Sequence, residues 1–392
     1  MNKAKPIKLR VILGSIGATT LIFMAAVGPT ACVSLGKRPG GESLERIKMD
    51  RLYKGGKFEN SVETEMMAPG GFWRMMSQWV GGGQVRVPRE PLPLIKPDPK
   101  ELALRPASGL AVTWMGHASM LVQLDEYRVL TDPVFSERVT PVPGVGPKRF
   151  HAPPVAVDHL PFLHAVVISH DHYDHLDMAS IKQLIPRTGK FIVPLGVGAH
   201  LRAWDVPEEK IVELGWWEHH RVGKGLIVVA TPARHFSGRG PLDRNKTQWA
   251  SFAFIGRKRR VYFGGDTGMF HGFKQIGRHL GPFDITLMPI GAYNVGWQAI
   301  HLNPEEAVEA HKDLRGGLML PIHWGTFNLA FHAWTEPAER LLEAAAAAGI
   351  KIAVPRPGER IVPEEAPAPR RWWPSVPWER APAPEQDSAV AA

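Results

Sequence analysis

Short apolar runs that end in polar residues recur through the middle of the chain, and they predict a sheet-rich fold. The first run covers residues 110–115, and the turn at 116–119 leads into a second run at 120–124. A third run, 128–131, ends at Asp132. Runs this short, bounded by turn residues, are typical of β-strands. The chain therefore opens its main domain with a meander of strands.

Helical patterns alternate with the later apolar runs. Further strands are predicted at 165–168, 191–194, 226–230, 260–263, 285–290, 317–322 and 350–354, and helices at 177–185, 196–204, 335–349 and from Pro304 onwards. Alternation of this kind favours an α/β fold with a parallel or mixed sheet. In such sheets the carboxyl ends of the strands meet at one edge, where α/β proteins place their functional sites.

The candidate chemistry begins directly after the strand at 165–168. Residues 170–175 read His-Asp-His-Tyr-Asp-His. Imidazole and carboxylate groups are ligands for zinc and similar divalent ions. Four ligands this close cannot all reach one ion with sound geometry, so we expect two ions. His170 and His172 would bind one, and Asp174 and His175 the other. A solvated turn would explain a lone His-x-His, but it does not explain four ligands after a buried strand.

Three later strands also end in potential ligands. His235 follows the strand at 226–230, Asp266 follows 260–263, and His323 follows 317–322. Each residue alone could be an ordinary turn residue. Because all three occupy strand ends, they are expected to lie at the same edge as the His-rich loop.

The motif at 170–177 resembles that of the metallo-β-lactamase superfamily, within it the branch of N-acylphosphatidylethanolamine-hydrolysing phospholipase D. The resemblance extends from about Trp114 to Arg360 and implies an αββα four-layer sandwich with a single catalytic domain. It implies two divalent ions, zinc before manganese or iron. It makes Asp132 a support of the His-rich loop. It assigns His170, His172 and His235 to a first metal. It assigns Asp174, His175 and His323 to a second metal, and Asp266 as the bridge between the two.

The segment His301-Leu-Asn-Pro-Glu-Glu-Ala resembles the phospholipase D branch more narrowly. In that branch the histidine is expected to contact the substrate phosphate, and Asp174 to hold the nucleophile beside its metal. Asn303 and Glu306 have the spacing of a helix capping box. The alternative is therefore that His301 is only part of the helix cap.

Charge and composition limit the choice of partners. The net charge is +9, but residues 1–100 contain 16 Lys/Arg against 8 Asp/Glu, while residues 101–392 contain 31 against 30. A nucleic-acid enzyme would carry its positive field around the site. We therefore expect no nucleic acid, and instead a membrane surface and a phospholipid or other membrane-derived substrate.

The N-terminus predicts export from a bacterial cytoplasm. Four basic residues within 1–10 precede an uncharged, mostly apolar run at 11–27, and Cys32 is the single cysteine. This layout is typical of a secretory signal, and the cysteine resembles a lipoprotein cleavage site, although Pro29 departs from that pattern. An uncleaved N-terminal anchor is the alternative. Either places the protein at the cell envelope, facing the periplasm.

Four parts of the chain are predicted from these patterns: a signal or anchor at 1–32, a juxtamembrane segment at 33–105, a hydrolase domain at 106–362 and a Pro/Ala-rich tail at 363–392. Met and aromatic residues at 66–80 would contact lipid or an acyl chain, or else pack on the domain. We predict a membrane-associated phosphodiesterase. The alternatives are a hydrolase of a soluble ester or lactone, and a non-catalytic envelope protein with structural metals.

Overall fold

Two mixed β-sheets face each other at the centre of the computed structural model, which describes residues 33–67, 70–142 and 144–378. The first sheet has seven strands in the order β15-β3-β4-β5-β6-β7-β8. Its members are β3 (Leu110–Gly116), β4 (Ser119–Leu124), β5 (Tyr127–Thr131), β6 (Leu163–Val167), β7 (Thr188–Pro194), β8 (Ile211–Leu214) and β15 (Arg360–Ile361).

The second sheet has six strands in the order β14-β13-β12-β11-β10-β9. They are β9 (His219–Val222), β10 (Leu226–Thr231), β11 (Ser251–Ile255), β12 (Arg260–Phe263), β13 (Phe283–Pro289) and β14 (Gly316–Ile322). Strands β12, β13 and β14 are parallel, as are β5 to β8 in the first sheet. Both sheets therefore direct several strand ends to the same edge.

Helices cover the outer face of each sheet, which completes the αββα sandwich expected from the sequence. The first sheet carries Met178–Leu184 and Gly198–Ala203; the second carries Gly272–Leu280, Pro304–Asp313 and Glu336–Ala348. Because both faces of each sheet are buried, the strands have nearly continuous apolar runs. Met120 and Val122 of β4 point into the cluster between the sheets, and Leu121 points toward the first outer helices.

The segment before β3 has its own short elements. These are a helix at Gly41–Lys48, the two-stranded pair β1 (Tyr53–Lys54) and β2 (Lys57–Phe58), and helices at Gly71–Gly81 and Pro99–Ala103. Ile47 and Phe58 are fully buried against Leu195 and Trp249 of the main domain. This packing extends the hydrolase unit; whether the segment also contacts a membrane stays a prediction.

The predicted strand at 350–354 is wrong. Only one parallel bridge forms there, between Met319 of β14 and Ile352. The ladder cannot continue because the next residue of β14 that would donate a hydrogen bond to this segment is Pro321, and proline has no N–H. Strand β15 closes the first sheet instead, by pairing with β3.

Part of the predicted tail packs on the domain. Trp373 is buried, and its Nε1 donates to Glu339 Oε1 at 2.7 Å, while Trp372 Nε1 donates to Val354 O. The predicted signal or anchor at 1–32 lies outside the described residues, as does 379–392. Within the part of the chain that is described, each helix is too short or too polar for a membrane span.

Candidate metal centre

Asp132, at the end of β5, holds the His-rich loop that follows β6. Its Oδ1 accepts a hydrogen bond from Ser169 N, and its Oδ2 accepts from Ser169 Oγ and from His175 Nδ1, each at 2.6 Å. A carboxylate on the far nitrogen of an imidazole fixes the ring so that its other nitrogen faces the site. Asp132 thus takes the supporting position that the sequence predicted.

Arg239 fixes the backbone of the same loop, which sequence reasoning missed. This buried guanidinium donates from Nη1 to Asp171 O at 2.6 Å and to Leu176 O at 2.8 Å. Its other nitrogens donate to Ser34 O. The loop is therefore tied to the N-terminal segment through one side chain.

The first predicted triad is assembled. His170 Nε2 lies 2.8 Å from His172 Nδ1, and His235 Nε2 lies 3.4 Å from the same atom. The three ligand atoms are within 4.8 Å of one another. Asn60, in the N-terminal segment, forms two hydrogen bonds with the backbone of His235. Its Oδ1 accepts from His235 N at 3.0 Å, and its Nδ2 donates to His235 O at 2.8 Å. No motif in the sequence pointed to Asn60.

The second predicted triad is assembled on the other side. Asp174 Oδ2 lies 3.2 Å from His175 Nε2 and 3.2 Å from His323 Nε2. His117, in the turn after β3, joins this group with Nε2 at 3.0 Å from the same oxygen. The Gly-His-Ala-Ser turn was visible in the sequence, but it gave His117 no role there.

Asp266 lies between the two triads. Its Oδ2 is 3.1 Å from His323 Nε2 and 3.2 Å from His175 Nε2. The same oxygen is 3.8 Å from His235 Nε2 and 4.0 Å from His170 Nε2. One carboxylate oxygen therefore approaches imidazoles of both groups, as a bridging ligand would. All seven predicted ligands are brought together, and their role as ligands stays a prediction.

The protonation states at the first triad suit metal binding. Burial lowers the pKa of His170 and of His235 well below the usual 6.5, and it also lowers the pKa of His172. All three imidazoles are therefore neutral near pH 7 and present lone pairs to a cation.

Two buried, ionised carboxylates lie at the second triad, those of Asp174 and Asp266. Burial raises the pKa of the Asp174 and Asp266 carboxyl groups, but the charge of His175 and the hydrogen bonds from His175 and His323 together outweigh burial and hold both pKa values well below 3.8. Burial lowers the pKa of His323, yet Asp266 and Asp174 together raise it to about 9. The two carboxylates thus strongly favour positive charge at this point.

Unpaired polar atoms supply the test of whether a metal fits. Asp266 Oδ1 is buried with no hydrogen-bond partner among the described residues, and His175 Nε2, although 3.2 Å from two carboxylate oxygens, makes no hydrogen bond of good geometry to a described residue. Buried polar groups without partners are costly, and a cation between them would satisfy them. The donor set, the charge and the spacing therefore fit two divalent ions.

His301 lies at the rim of the cluster, with Nδ1 3.9 Å from Asp266 Oδ2. That nitrogen is buried and unpaired within the described part of the chain. The capping box of helix Pro304–Asp313 is made by Asn303 and Glu306 alone, so His301 is not part of the cap. Burial lowers its pKa to about 4.

A cavity of about 520 Å³ opens onto the cluster. One group of lining residues is apolar: Met66, Met67, Phe236, Trp297, Ile300 and Leu329. The metal-binding side chains form the floor, and Ser237, Gly238, Gly240 and Arg244 line a polar part of the wall. The site thus combines a buried cluster of His and Asp side chains with room for an apolar substrate group.

Two His/Asp groups that share a carboxylate at the edge of a two-sheet sandwich define a metal-dependent hydrolase. The chain belongs to the metallo-β-lactamase superfamily, because the family model for the beta-lactamase superfamily domain matches residues 127–324.

Its relatives include an uncharacterized protein of Mycobacterium tuberculosis, 53% identical over 290 residues that cover 73% of this chain and 77% of the relative. The N-acyl-phosphatidylethanolamine-hydrolyzing phospholipase D 1 of Caenorhabditis elegans is 41% identical over 60% of this chain and 70% of its own length. A solved metallo hydrolase of Ignicoccus hospitalis shares the fold, with a TM-score of 0.50 and 24% identity over 64% of this chain and 97% of its own.

Proposed function

We propose that the protein is a membrane-associated phosphodiesterase of phospholipase D type, which hydrolyses N-acylated or related glycerophospholipids. The observation that carries this proposal is the unpaired Nδ1 of His301 beside Asp266, at the mouth of an apolar-walled cavity. The worm relative, itself named as such an enzyme, supports the same choice. Zinc is the metal that the histidine-rich donor set favours, ahead of manganese or iron.

The residues of the site have different roles in the proposed hydrolysis. Two divalent ions, when bound, lower the pKa of water and polarise a phosphoryl oxygen. Asp174 Oδ2, surrounded by His117, His175 and His323, is placed to orient the attacking water and to accept its hydrogen bond. His301, neutral at pH 7, donates a hydrogen bond to a non-bridging phosphoryl oxygen, where negative charge develops.

The cavity argues for a lipid and against a purely structural site. Met66, Met67 and Trp297 offer an apolar wall to an acyl chain, and methionine adapts to chains of different shape. Structural zinc sites are usually closed by four ligands, whereas this cluster opens onto a cavity. A small lactone would leave most of that apolar wall unused.

Exposed apolar side chains, one in the cavity lining and two a few residues from lining residues in sequence, support contact with a bilayer. Leu242 and Trp73 are 76% and 75% exposed, and Met67 is 45% exposed. Arg38 Nη2 donates to Leu242 O, which places the first described residues beside the same loop. We infer that this surface inserts into the headgroup region and brings lipid to the cavity.

Leu242→Asp should weaken binding to anionic phospholipid vesicles by about tenfold, because one inserted leucine side chain is lost and a charge is added. Co-sedimentation with vesicles measures this. Phe162→Asp is the matched control, since Phe162 is 51% exposed and precedes β6, whereas Leu242 stands between the lining residues Gly240 and Arg244. Equal losses in both variants would contradict the assigned surface.

We also propose that the protein is exported and held at the cell envelope by residues 1–32. Val33 O accepts from Trp204 Nε1 at 2.8 Å, so an anchor ending at residue 32 would lie next to the folded domain. Cys32→Ala should release the protein from membrane fractions and change its mass, if the cysteine carries lipid. Unchanged fractionation and mass would favour an uncleaved helix.

A further inference from the structure

Arg244 is an exposed arginine on the wall of the metal cavity. Its guanidinium forms no ion pair and no side-chain hydrogen bond with any described residue, and its Cζ lies 5.5 Å from the centroid of the Phe236 ring. The neighbouring Arg239 is the opposite case, because four of its hydrogen bonds to backbone oxygens are made inside the protein. Arg244 therefore has its donors available to a ligand.

The loop that carries Arg244 is held in place on both sides. Asp243 Oδ1 accepts from Gly240 N at 2.8 Å, and its Oδ2 accepts from Arg239 N at 3.2 Å. Gly238 N donates to Asp171 Oδ1 at 2.7 Å, which joins this loop to the His-rich loop. The two oxygens of Asp243 thus hold the loop backbone, and among the described residues Asp243 forms no ion pair with Arg244.

Phe236 sets the distance between Arg244 and the reacting centre. The Phe236 ring lies 4.4 Å, centroid to centroid, from the His172 ring, which it meets edge to face. Arg244 contacts the same phenyl ring. The Phe236 ring therefore lies between the guanidinium and the first metal triad. From this position Arg244 can contact a part of the bound substrate next to the group that reacts.

We propose that Arg244 is a specificity residue that binds a second anionic group of the lipid, beyond the scissile phosphodiester. The group is a carboxylate or a further phosphate, both of which a guanidinium binds through two parallel N–H donors. This inference rests on the proposed function and narrows its substrate class. It predicts a preference for those N-acylated or related lipids whose headgroup carries an anionic group in addition to the scissile phosphodiester.

The kinetic form of the effect follows from the position of Arg244. A contact to a non-reacting group is made equally in the ground state and the transition state, so its loss raises KM and leaves kcat nearly unchanged. For an exposed but charge-assisted contact we expect a loss of about tenfold in kcat/KM. A role at the metal centre would lower kcat instead.

The test compares wild type with Arg244→Gln on dihexanoyl lipids kept below their micelle concentration, so that no bilayer is present. Phosphatidylserine against phosphatidylethanolamine isolates a carboxylate, and phosphatidylglycerol phosphate against phosphatidylglycerol isolates a phosphate. Metal-loaded protein is assayed for kcat and KM. Dissociation constants for non-hydrolysable phosphonate analogues are measured by calorimetry. Arg221→Gln, an exposed arginine on β9 outside the cavity, is the charge-matched control.

Wild type should prefer the more anionic member of one pair, and Arg244→Gln alone should lose that preference. The pair affected identifies the group. An equal loss on all four lipids, or an unchanged preference in the variant, would overturn the inference. If no phospholipid is hydrolysed while the calorimetric preference still depends on Arg244, the proposed function fails and this inference stands. If phospholipid is hydrolysed but the preference does not depend on Arg244, the proposed function stands and this inference fails.

Discussion

Asp266→Asn should remove most of the bound metal and lower hydrolysis by at least about 10³-fold. The physical reason is its position: one oxygen lies within 4.0 Å of imidazole nitrogens from both triads. A neutral amide is a poorer ligand and does not balance the charge of two cations. Wild type is expected to carry close to two equivalents of divalent metal, as elemental analysis of the purified protein would measure.

His235→Ala should have a narrower effect, because His235 belongs only to the first triad and approaches Asp266 from that side. We expect it to lower metal content toward one equivalent and to abolish turnover as well.

Asp284→Asn is the matched control for Asp266→Asn, since Asp284 pairs with Arg259 away from the site. Absence of metal from wild type loaded with zinc or manganese would contradict the entire functional assignment.

His301→Ala should lower kcat for a phosphodiester lipid by roughly 10²-fold while metal content stays near two equivalents. The imidazole belongs to neither predicted triad, although its ligand atom lies within 4.8 Å of those of His235 and Asp266, and its buried Nδ1 has no hydrogen-bond partner in the described structure. Its hydrogen bond is expected to strengthen as charge builds on a non-bridging phosphoryl oxygen. Steady-state kinetics together with metal analysis on the same preparation measure both parts.

Asn303→Ala provides the matched control for that variant. It removes the capping hydrogen bond of helix Pro304–Asp313, which should cost about 1 kcal/mol of stability, but it keeps the imidazole. If His301→Ala hydrolyses phospholipid as fast as wild type, the phospholipase assignment loses its main support. In that case a lactone substrate, whose oxyanion lies elsewhere, should be tested next.

The strand ends explain why so much of the metal centre could be predicted. His170, His172, Asp174 and His175 are adjacent in sequence, so their proximity needs no knowledge of the fold. His235, Asp266 and His323 each follow an apolar run, and parallel strands bring such positions to one edge. The supporting role of Asp132 came only from the family resemblance, because an Asp-Pro turn after a strand does not indicate that role by itself.

The contacts that hold the centre together were not predictable by the same reasoning. Asn60 contacts His235 across 175 residues of sequence, and Arg239 contacts Ser34 across 205. Neither residue belongs to a motif or follows a long strand. The strands within segment 33–105 could not be predicted, because β1 and β2 are two residues long and such short pairs form only when they pack on a larger body.

The sequence by itself determined the fold class, the ligand types and their order along the chain, because hydrophobic periodicity and local spacing are written into consecutive residues. The tertiary structure alone decided which oxygen lies between the triads, that His117 joins the second group, and that His301 faces the cluster instead of capping its helix. It also decided that Arg244 has no ion pair or side-chain hydrogen bond among the described residues, whereas the guanidinium of Arg239 makes four hydrogen bonds to backbone oxygens. These outcomes depend on distances between residues far apart in sequence, which only packing of the two sheets and their loops can set.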